Sequence, residues 1–350
     1  MRVAILTPYS SEMKRGGVEI ANAYLETIFE EVDYFYYENE SKFKECTKLY
    51  TIFKEEIMSY HVGRKFIKAS KKEKYDLIIS NGMYGWMVKL ANLSIPRINI
   101  YHGNYIGYHK STNLEWNLKS KVVSKIHKFF EKLSSSKNKN ITVSKFNQKQ
   151  LKRYYKINSE VIHLGIDASK FQYVEQQKAR TLLGLPENKK IFLFVGRLER
   201  SKGIDIIKKV VEKYPEFIFA FVGEGERLIE NSNAVYFSSQ DYRKMNIFYS
   251  AVNGVLIPSL FESASLVALE SMMCGTPILM NKTGYAEEIA EVYPNFVTDI
   301  ENYIKSFERF IITCDKSSKD RLITWVKSKY SIPYFYHRWD TFVKRILEEL

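Results

Sequence analysis

Short apolar runs alternate with longer segments of helical spacing along nearly the whole chain. Val3–Thr7 and Arg97–Tyr101 are typical of the short runs, and Val18–Phe29 is typical of the segments between them. Such alternation favours a mostly parallel sheet with helices on both faces. We therefore predict an α/β fold of two Rossmann-like, doubly wound domains that face each other across a cleft. Ligands then bind at the carboxyl ends of the strands.

The chain of 350 residues is long for a single core and suits two domains. The strand and helix pattern of the first half is repeated in the second half, from Ile191–Val195 onwards. We predict an N-terminal domain over residues 1–168 and a C-terminal domain over residues 169–334. A last helical segment over residues 335–350 follows.

No segment predicts secretion or a membrane span. The opening apolar run, MRVAILT, is too short for a signal peptide, and no later window has about 18 uninterrupted apolar residues. The three cysteines, Cys46, Cys274 and Cys314, are an odd number and lack the spacing of metal ligands. We therefore expect free thiols in a cytoplasmic protein, with no structural metal.

The net charge of +13 is concentrated in the first half of the chain. Residues 1–170 contain 29 Lys and Arg against 17 Asp and Glu, whereas residues 171–350 are nearly balanced. One face of the first half is therefore expected to meet an anionic partner. That partner could be a membrane surface, a phosphorylated lipid or nucleic acid.

The segment Leu118–Leu133 combines an apolar stripe with lysines at helical spacing. Its lysines are Lys119, Lys121, Lys125, Lys128 and Lys132. One interpretation is an interfacial helix with its apolar face among lipid headgroups. We favour a domain helix whose apolar face covers the sheet, while the lysines remain able to dock on anionic lipid.

Two carboxylates bracket the start of a short apolar helix in the stretch over residues 254–290. Glu262 lies in the loop before the helix, and Glu270 lies within it. Gly275 suits the left-handed position just beyond the helix. A buried, unpaired polar group costs roughly 2–7 kcal/mol, so Glu270 needs hydrogen-bond donors, and a sugar diol is a donor pair of that kind.

Three further loops follow predicted strands and carry groups that could bind a ligand. Gly16 and Gly17 precede a helix, where the backbone can approach an anion closely. His102 directly follows a strand. Arg197 and Lys202 follow another strand, five residues apart and flanked by glycines, and can close on a diphosphate. Each loop also has a structural alternative. The glycines could form only a flexible turn, His102 could be a structural histidine, and Arg197 and Lys202 could lie in a solvated surface loop.

Together these segments resemble the retaining glycosyltransferases of the GT-B fold, in particular family 4. The resemblance covers nearly the whole chain and depends on the order and spacing of five segments. These segments are MRVAILTP…GGVE, ITVSKFNQKQLKRYY…VIHLGIDASKF, FVGRLERSKGID, PSLFESASLVALESMMCGTPIL and NKTGYAEEI. The last of them differs from the family pattern at Tyr285, where a glycine is usual, and we expect the tyrosine to narrow that loop.

The resemblance implies a role for each matching residue. Arg197 and Lys202 would hold the diphosphate of a nucleotide-sugar donor and offset the charge on the leaving group, without a metal or other cofactor. Glu262 would bind hydroxyls of the transferred sugar, and His102 would lie near the sugar or the acceptor. Glu270 would accept hydrogen bonds from the ribose.

The remaining donor contacts would come from the backbone. By the same resemblance, Gly17 would approach the donor, and Gly16 and Gly196 belong to the two glycine loops. Backbone N–H groups at Ala264, Ser265 and Leu266 would meet the diphosphate. The last helix, over residues 335–350, would return to the first domain.

We therefore predict transfer of a sugar from a nucleoside-diphosphate-sugar to an acceptor, with retention of configuration. The acceptor is expected to be a lipid-linked or cell-surface glycan, with docking at the inner face of the cell membrane through the lysines of the segment over 118–133. One alternative is an epimerase or hydrolase of the same fold. Another is a nucleic-acid-binding protein, which we favour less because few aromatic side chains besides Tyr154 and Tyr155 accompany the basic residues.

Overall fold

The chain folds into two compact units. The computed structural model describes residues 1–9, 17–37, 53–112, 118–136 and 139–349, with backbone only at 118 and 119. One unit contains residues 1–164 and 335–350, and the other contains residues 165–334. The units therefore divide after Leu164, whereas the predicted boundary follows residue 168.

The first unit is a six-stranded parallel sheet in the order β2-β1-β3-β4-β5-β6. Its strands are Arg2–Leu6 (β1), Glu31–Phe35 (β2), Leu77–Asn81 (β3), Arg97–Tyr101 (β4), Asn140–Thr142 (β5) and Glu160–Val161 (β6). Its helices are Gly17–Glu26 (α1), Lys54–Ala69 (α2), Trp86–Leu90 (α3), Tyr105–Ser111 (α4), Leu118–Leu133 (α5) and Lys145–Tyr155 (α6).

The second unit is another six-stranded parallel sheet, in the order β12-β11-β10-β7-β8-β9. Its strands are Ile191–Val195 (β7), Ile218–Val222 (β8), Ala234–Phe237 (β9), Gly254–Ile257 (β10), Ile278–Asn281 (β11) and Val297–Thr298 (β12). Its helices are Gln176–Leu183 (α7), Ile204–Lys213 (α8), Met245–Ala251 (α9), Leu266–Met273 (α10), Ala286–Ala290 (α11), Tyr303–Thr313 (α12) and Lys319–Tyr330 (α13). The last helix, Ile332–Glu348 (α14), belongs to the first unit from residue 335 onwards.

Both faces of each sheet are covered, as the apolar runs predict. In β1, Val3 and Ile5 pack on one side against Phe335 and Trp339 of α14. Leu6 belongs to a separate cluster on the other side, with residues of α2. Successive strand residues point to opposite faces, so a strand covered on both sides is apolar throughout. The predicted α/β class of two doubly wound domains is confirmed.

The apolar stripe of α5 does not cover the sheet in the way the sequence analysis expects. Val122 is 49% exposed and Phe129 is 61% exposed, whereas the polar residues Ser124, His127 and Glu131 are buried. Val123 is buried and Phe130 packs against the apolar cluster of α2, so only part of the predicted stripe is covered. Among the described helices, none has the length and apolar character needed to cross a bilayer.

Partners inside the first unit explain why α5 buries a polar face. Nδ1 of His127 lies 3.0 Å from Oε1 of Glu56 on α2. Glu131 accepts hydrogen bonds from the Tyr155 hydroxyl and from the Tyr105 backbone N–H. Buried polar groups are tolerated when such partners are present. Burial still raises the pKa of Glu131 to about 7, because desolvation disfavours the charged carboxylate.

Candidate active site

Loops at the carboxyl edge of the second sheet are joined by backbone hydrogen bonds. The N–H of Leu260, after β10, donates to the carbonyl of Ser201, after β7, at 2.9 Å. The N–H of Gly284, after β11, donates to the carbonyl of Glu262 at 3.0 Å, and Leu198 is bonded to the loop after β8 at 2.7 Å. The predicted donor-binding loops therefore share one edge and have fixed backbones.

Two glycines allow these loops to approach each other closely. A Cβ atom at Gly203 would lie 2.2 Å from the carbonyl oxygen of Pro258, and the φ angle of Gly203 is +79°. A Cβ atom at Gly223 would lie 2.0 Å from the carbonyl oxygen of Gly196. Both distances are far shorter than any van der Waals contact, so only glycine fits at these two positions.

Lys202 and Glu262 meet directly at this edge. Nζ of Lys202 donates a hydrogen bond of 2.7 Å to Oε1 of Glu262, and both side chains are partly buried. The lysine side chain runs past Gly196, where an added Cβ atom would lie 3.9 Å from Cγ of Lys202. The structure thus brings together two of the predicted catalytic residues and the predicted donor-binding Gly196.

Arg197 lies on the same loop but is more exposed. Its side chain is 67% exposed and its Nη2 lies 3.0 Å from Oε1 of Glu199. The hydroxyl of Ser201 also donates a hydrogen bond to Glu199. Glu199 therefore neutralises the second predicted cation, a role that the sequence analysis did not assign to it. The sequence signal for this role is the position of Glu199 between Arg197 and Lys202 in the loop.

Glu270 is buried in α10, as predicted, and it has two tyrosine partners. The Tyr249 hydroxyl donates a hydrogen bond of 2.5 Å to Oε2 of Glu270, and Tyr242 also bonds to the carboxylate. Burial raises the pKa of Glu270 to about 7, and both tyrosine bonds act in the opposite direction. Sequence reasoning missed both tyrosines, which lie 21 or more residues before Glu270 in the chain.

The turn before α10 packs closely against the loop that follows β11. Ser265 is the N-cap residue of α10 and is buried, and its side chain forms no capping hydrogen bond. A Cβ atom at Gly284 would lie 3.0 Å from the backbone nitrogen of Ser265 and 3.3 Å from the carbonyl carbon of Ala264. The predicted backbone donors at Ala264 and Ser265 therefore lie against the glycine of the next loop, and Leu266 is the first residue of α10.

Tyr285 does not narrow that loop, contrary to our expectation. Its side chain is fully buried, and its ring centroid lies 5.2 Å from that of Tyr330. The ring belongs to the apolar core of the second unit, because burying an aromatic ring there is favourable. Beyond α10, Gly275 has a φ angle of +74°, which confirms the predicted left-handed helix end.

In the first unit, His102 ends a buried chain of hydrogen bonds at the carboxyl edge of the sheet. Its Nε2 lies 3.0 Å from Oδ1 of Asn81. Asn81 donates to Asn22 at 3.1 Å, and Asn22 donates to Thr7 at 3.0 Å. The sequence analysis missed these three polar residues, although Thr7 and Asn81 lie at strand ends, where site residues are expected.

This chain of hydrogen bonds determines what His102 can do. Burial lowers the pKa of His102 to about 4, so the ring is neutral at physiological pH. Because Asn81 offers an acceptor, the proton is assigned to Nε2. Nδ1 is buried and has no partner among the described residues. His102 therefore presents a hydrogen-bond acceptor.

Two other parts of the prediction lie at or beyond the limits of the described chain. Gly17 is the first residue of α1, whereas Gly16 lies outside the described residues. The side chain of Lys119 is also outside them. Lys121, Lys125 and Lys132 are exposed on α5, and Lys128 is half-buried. Within the described part of the chain, no cluster of three His, Cys, Asp or Glu side chains could hold a metal ion.

Two doubly wound units, each built on a six-stranded parallel sheet, have the architecture of the GT-B fold. Residues 175–320 match the family of glycosyl transferases group 1, and residues 31–170 match glycosyltransferase family 4. The chain belongs to these glycosyltransferases, as the resemblance predicts.

Some known proteins are similar to this chain in sequence, and others are similar in structure. The D-inositol 3-phosphate glycosyltransferases of Mycolicibacterium paratuberculosis and Mycobacterium marinum are 30% and 32% identical over 140 residues. Each match covers 36% of this chain and about a third of the relative. Sucrose-phosphate synthase from Thermosynechococcus elongatus shares the fold with a TM-score of 0.81 at 17% identity, over the full length of both chains. Anabaena HepE in complex with UDP-glucose has a TM-score of 0.72 at 17% identity, also over both full lengths.

Proposed function

We propose that this protein transfers a sugar from a nucleoside-diphosphate-sugar to an acceptor, with retention of configuration at the anomeric carbon. The observation that carries the proposal is the Lys202–Glu262 pair at the edge where four loops converge. A cation beside a sugar-binding carboxylate is the arrangement that this chemistry needs. The solved HepE complexes with UDP and UDP-glucose, which share the fold, support the donor class.

The proposed chemistry begins with departure of the nucleoside diphosphate. Lys202 and Arg197 offset the negative charge that grows on the leaving phosphate oxygen, and transition-state stabilisation of this kind is often the largest single contribution to the rate. Two cations can serve this purpose without a metal ion. Glu262 accepts hydrogen bonds from the sugar hydroxyls and orients the ring. The acceptor hydroxyl then attacks the anomeric carbon from the face that the diphosphate leaves, and its proton passes to the departing phosphate oxygen.

Glu270 and His102 are proposed to position the substrates. Glu270 positions the ribose of the donor, and His102 positions the sugar or the acceptor. Glu270 accepts hydrogen bonds from the ribose, and the tyrosines Tyr249 and Tyr242 hold its carboxylate in place. His102 is neutral, so it does not act as a proton donor at neutral pH. Its Nδ1 has no partner among the described residues and is suited to accept a hydrogen bond from a hydroxyl group of the sugar or the acceptor.

The proposed acceptor is a glycan, either linked to lipid or at the cell surface. Exposed lysines on α5, with Phe129 beside them, support docking on an anionic membrane at its cytoplasmic face. Basic residues near such a surface contribute roughly 1 kcal/mol each to binding. Failure of the protein to pellet with anionic liposomes at low salt would contradict this part of the proposal.

A panel of nucleoside diphosphates and their sugars tests the proposal, because a bound ligand raises the melting temperature. The best donor is then incubated with and without an acceptor mixture, in the presence of EDTA, and the products are examined by NMR. We expect a new glycoside of unchanged anomeric configuration only when acceptor is present. An epimerised donor would indicate an epimerase, and free sugar in equal amount with and without acceptor would indicate a hydrolase.

A matched variant connects this activity to the candidate site. Lys202→Ala should abolish most of the transfer while the protein remains folded. Lys213→Ala removes another ion-paired lysine of the same unit, 2.6 Å from Glu308, and should transfer sugar at the wild-type rate. Equal activity of Lys202→Ala and the wild type would refute the assignment of the site.

A further inference from the structure

A pocket of about 630 Å³ lies in the first unit, between α2 and α3. Tyr60, His61, Arg64, Lys68 and Lys71 line it from α2 and the turn that follows, and Met87 lines it from α3. Its volume is in the range of ordinary ligand sites, which is roughly 300–1,000 Å³. No residue of the candidate active site contributes to this pocket.

Specific contacts between the two helices form the pocket. A Cβ atom at Gly63 would lie 2.4 Å from Cβ of Met87, so the glycine lets α2 and α3 pack closely. Nε1 of Trp86 donates a hydrogen bond of 2.8 Å to Oγ of Ser59, which holds α3 in register with α2. The walls of the pocket are therefore fixed by packing.

The pocket lies away from the edge that carries His102. The chain leaves α2 at Ala69 and enters β3 at Leu77, so the second half of α2 lies near the ends where strands begin. His102 follows the carboxyl end of β4, at the other end of the same sheet. A ligand in this pocket would not overlap the part of the candidate active site in the first unit.

The charge of the pocket is entirely positive. Arg64, Lys68 and Lys71 form no ion pair with any carboxylate in the described part of the chain. The Arg64 guanidinium lies over the Tyr60 ring at 5.7 Å, which restricts its position. Several unpaired cations around one concave surface create a strong attraction for a phosphate group, and arginine can bind phosphate with two hydrogen bonds.

The surface around the pocket carries exposed apolar side chains. Leu90 of α3 is 60% exposed, and Val122 and Phe129 of α5 are 49% and 61% exposed. A row of aromatic rings joins the three helices, with centroid distances of 6.3, 4.8 and 5.3 Å between successive members. The row consists of Tyr60, Trp86, Phe130 and Phe129. Within the described side chains of α2, α3 and α5, no exposed residue is a carboxylate.

We propose that this pocket binds the phosphate group of an anionic membrane lipid, while Leu90, Val122 and Phe129 enter the headgroup region beside it. Exposed apolar side chains on helices that also carry exposed cations are the pattern of an interfacial membrane surface. Nucleic acid would use the cations and could stack on the rings, but it would leave Leu90 and Val122 exposed to water. The inference rests on the membrane docking in the proposed function and adds a defined lipid site to it.

Vesicle binding by the full chain tests the lipid site. Three variants each replace three basic residues by glutamine: the pocket variant Arg64→Gln/Lys68→Gln/Lys71→Gln, the α5 variant Lys121→Gln/Lys125→Gln/Lys132→Gln, and the control Lys178→Gln/Lys208→Gln/Lys209→Gln. The control residues are exposed in the second unit, so all three variants lose the same charge. Affinity is measured for phosphatidylcholine vesicles with and without phosphatidylglycerol.

We expect the pocket variant to lose affinity for phosphatidylglycerol vesicles by on the order of tenfold to a hundredfold, with the control variant unchanged. Sugar transfer to a soluble acceptor should be unaffected in the pocket variant. A pocket variant that binds as well as the control would overturn the lipid site, and loss in the α5 variant alone would leave only the proposed docking. If the wild-type protein binds neither kind of vesicle, both the lipid site and the proposed membrane docking are overturned. The result for sugar transfer does not affect that conclusion.

Two soluble probes separate the possible sources of phosphate. Glycerol 3-phosphate, compared with sodium chloride at equal ionic strength, should compete only weakly with phosphatidylglycerol vesicles. Tight binding of glycerol 3-phosphate that is lost in the pocket variant, without vesicle binding, would assign the pocket to a soluble phosphate ester and refute the lipid site. Binding of duplex RNA in place of vesicles, also lost in that variant, would assign the surface to nucleic acid.

Discussion

Nζ of Lys202 lies 2.7 Å from Oε1 of Glu262, and this ion pair joins the loop after β7 to the loop after β10. Under the proposed function both groups bind the donor, the lysine through the diphosphate and the glutamate through the sugar. The diphosphate must therefore compete with Glu262 for the lysine. A nucleoside diphosphate that carries no sugar must also compete with Glu262 for the lysine, but it has no sugar hydroxyls to bind to Glu262.

Glu262→Gln should therefore bind the free nucleoside diphosphate more tightly and transfer sugar more slowly. A partly buried ion pair worth about 1 kcal/mol corresponds to roughly fivefold in affinity. Loss of the sugar-binding carboxylate should lower kcat by on the order of a hundredfold. Calorimetry and initial rates measure the two effects. Glu308→Gln, which breaks the comparable Lys213 pair at 2.6 Å, is the control and should change neither quantity.

Glu270 should make the protein less stable as the pH rises from about 4.5 to about 7. Its pKa is raised to about 7 in the folded state by burial, so over this interval the folded protein holds a proton that the unfolded chain has lost. Stability from this group is fully present below the unfolded pKa and is lost as pH rises through the folded pKa. Glu270→Gln should remove this contribution, measured as the difference between variant and wild type in urea unfolding at pH 5 and pH 8.

Comparing the variant with the wild type isolates Glu270, since Glu131 has a pKa raised in the same direction and is present in both proteins. The same variant should bind the nucleotide donor more weakly, because a neutral amide is a weaker acceptor for ribose hydroxyls than a carboxylate. An unfolding difference that does not depend on pH would contradict the first expectation. Unchanged donor affinity would remove Glu270 from the proposed ribose site.

Gly203→Ala should destabilise the second unit by at least about 3 kcal/mol. The added Cβ atom would lie 2.2 Å from the carbonyl oxygen of Pro258, so the loop after β10 would have to move as well. Gly184→Ala is the matched control, because Gly184 has a similar φ angle of +64° but no heavy atom within 4 Å of the added Cβ atom. The control should cost only the backbone strain, about 1–2 kcal/mol. Equal losses in urea unfolding would show that the close contact is not important.

His102 should remain neutral across the pH range in which the enzyme is assayed. The pKa is lowered to about 4 by burial, so between about 6.5 and 4 the unfolded chain takes up a proton that the folded state does not, and stability falls as pH falls. Proton-detected NMR of the imidazole should report hydrogen on Nε2 and a titration well below that of exposed histidines.

Asn81→Asp should raise the pKa of His102, because a carboxylate beside Nε2 favours the charged ring. We then expect the transfer rate of this variant to change between pH 6 and 8, whereas the wild type shows no transition from this group. Asn253→Asp is the control, since Asn253 lies in the second unit. A pKa for His102 that is the same in Asn81→Asp and the wild type would show that the hydrogen bond does not set its protonation.

Local patterns were sufficient to predict the strands, the helix α10 with its end at Gly275, and the loops that carry Lys202 and Glu262. These features depend on neighbouring residues in the chain, such as an apolar run or a glycine that permits a positive φ angle. The tyrosine partners of Glu270 could not be predicted in this way. Tyr249 reaches Glu270 only because α9 and α10 pack together.

The helix α5 shows most clearly what a local sequence pattern leaves undetermined. Its apolar residues and lysines suggest a face that packs on the sheet, but the structure buries His127 and Glu131 and exposes Phe129. Polar partners on α2 and α6 allow these two polar side chains to be buried together with Val123, because a buried polar group is stable when a partner from elsewhere in the fold is present. Nothing in the helix itself reveals those partners.

The sequence alone therefore determined the α/β class, the order of the strands and helices, and the residue types at the sheet edges, since each depends on local periodicity and on single glycines. Only the tertiary structure decided which charges meet. It paired Lys202 with Glu262, which lie 60 residues apart in the chain, and it surrounded Glu270 with tyrosines. It also placed Arg64, Lys68 and Lys71 around one pocket beside α3. Charge and burial act through distance in space, which a linear pattern does not contain.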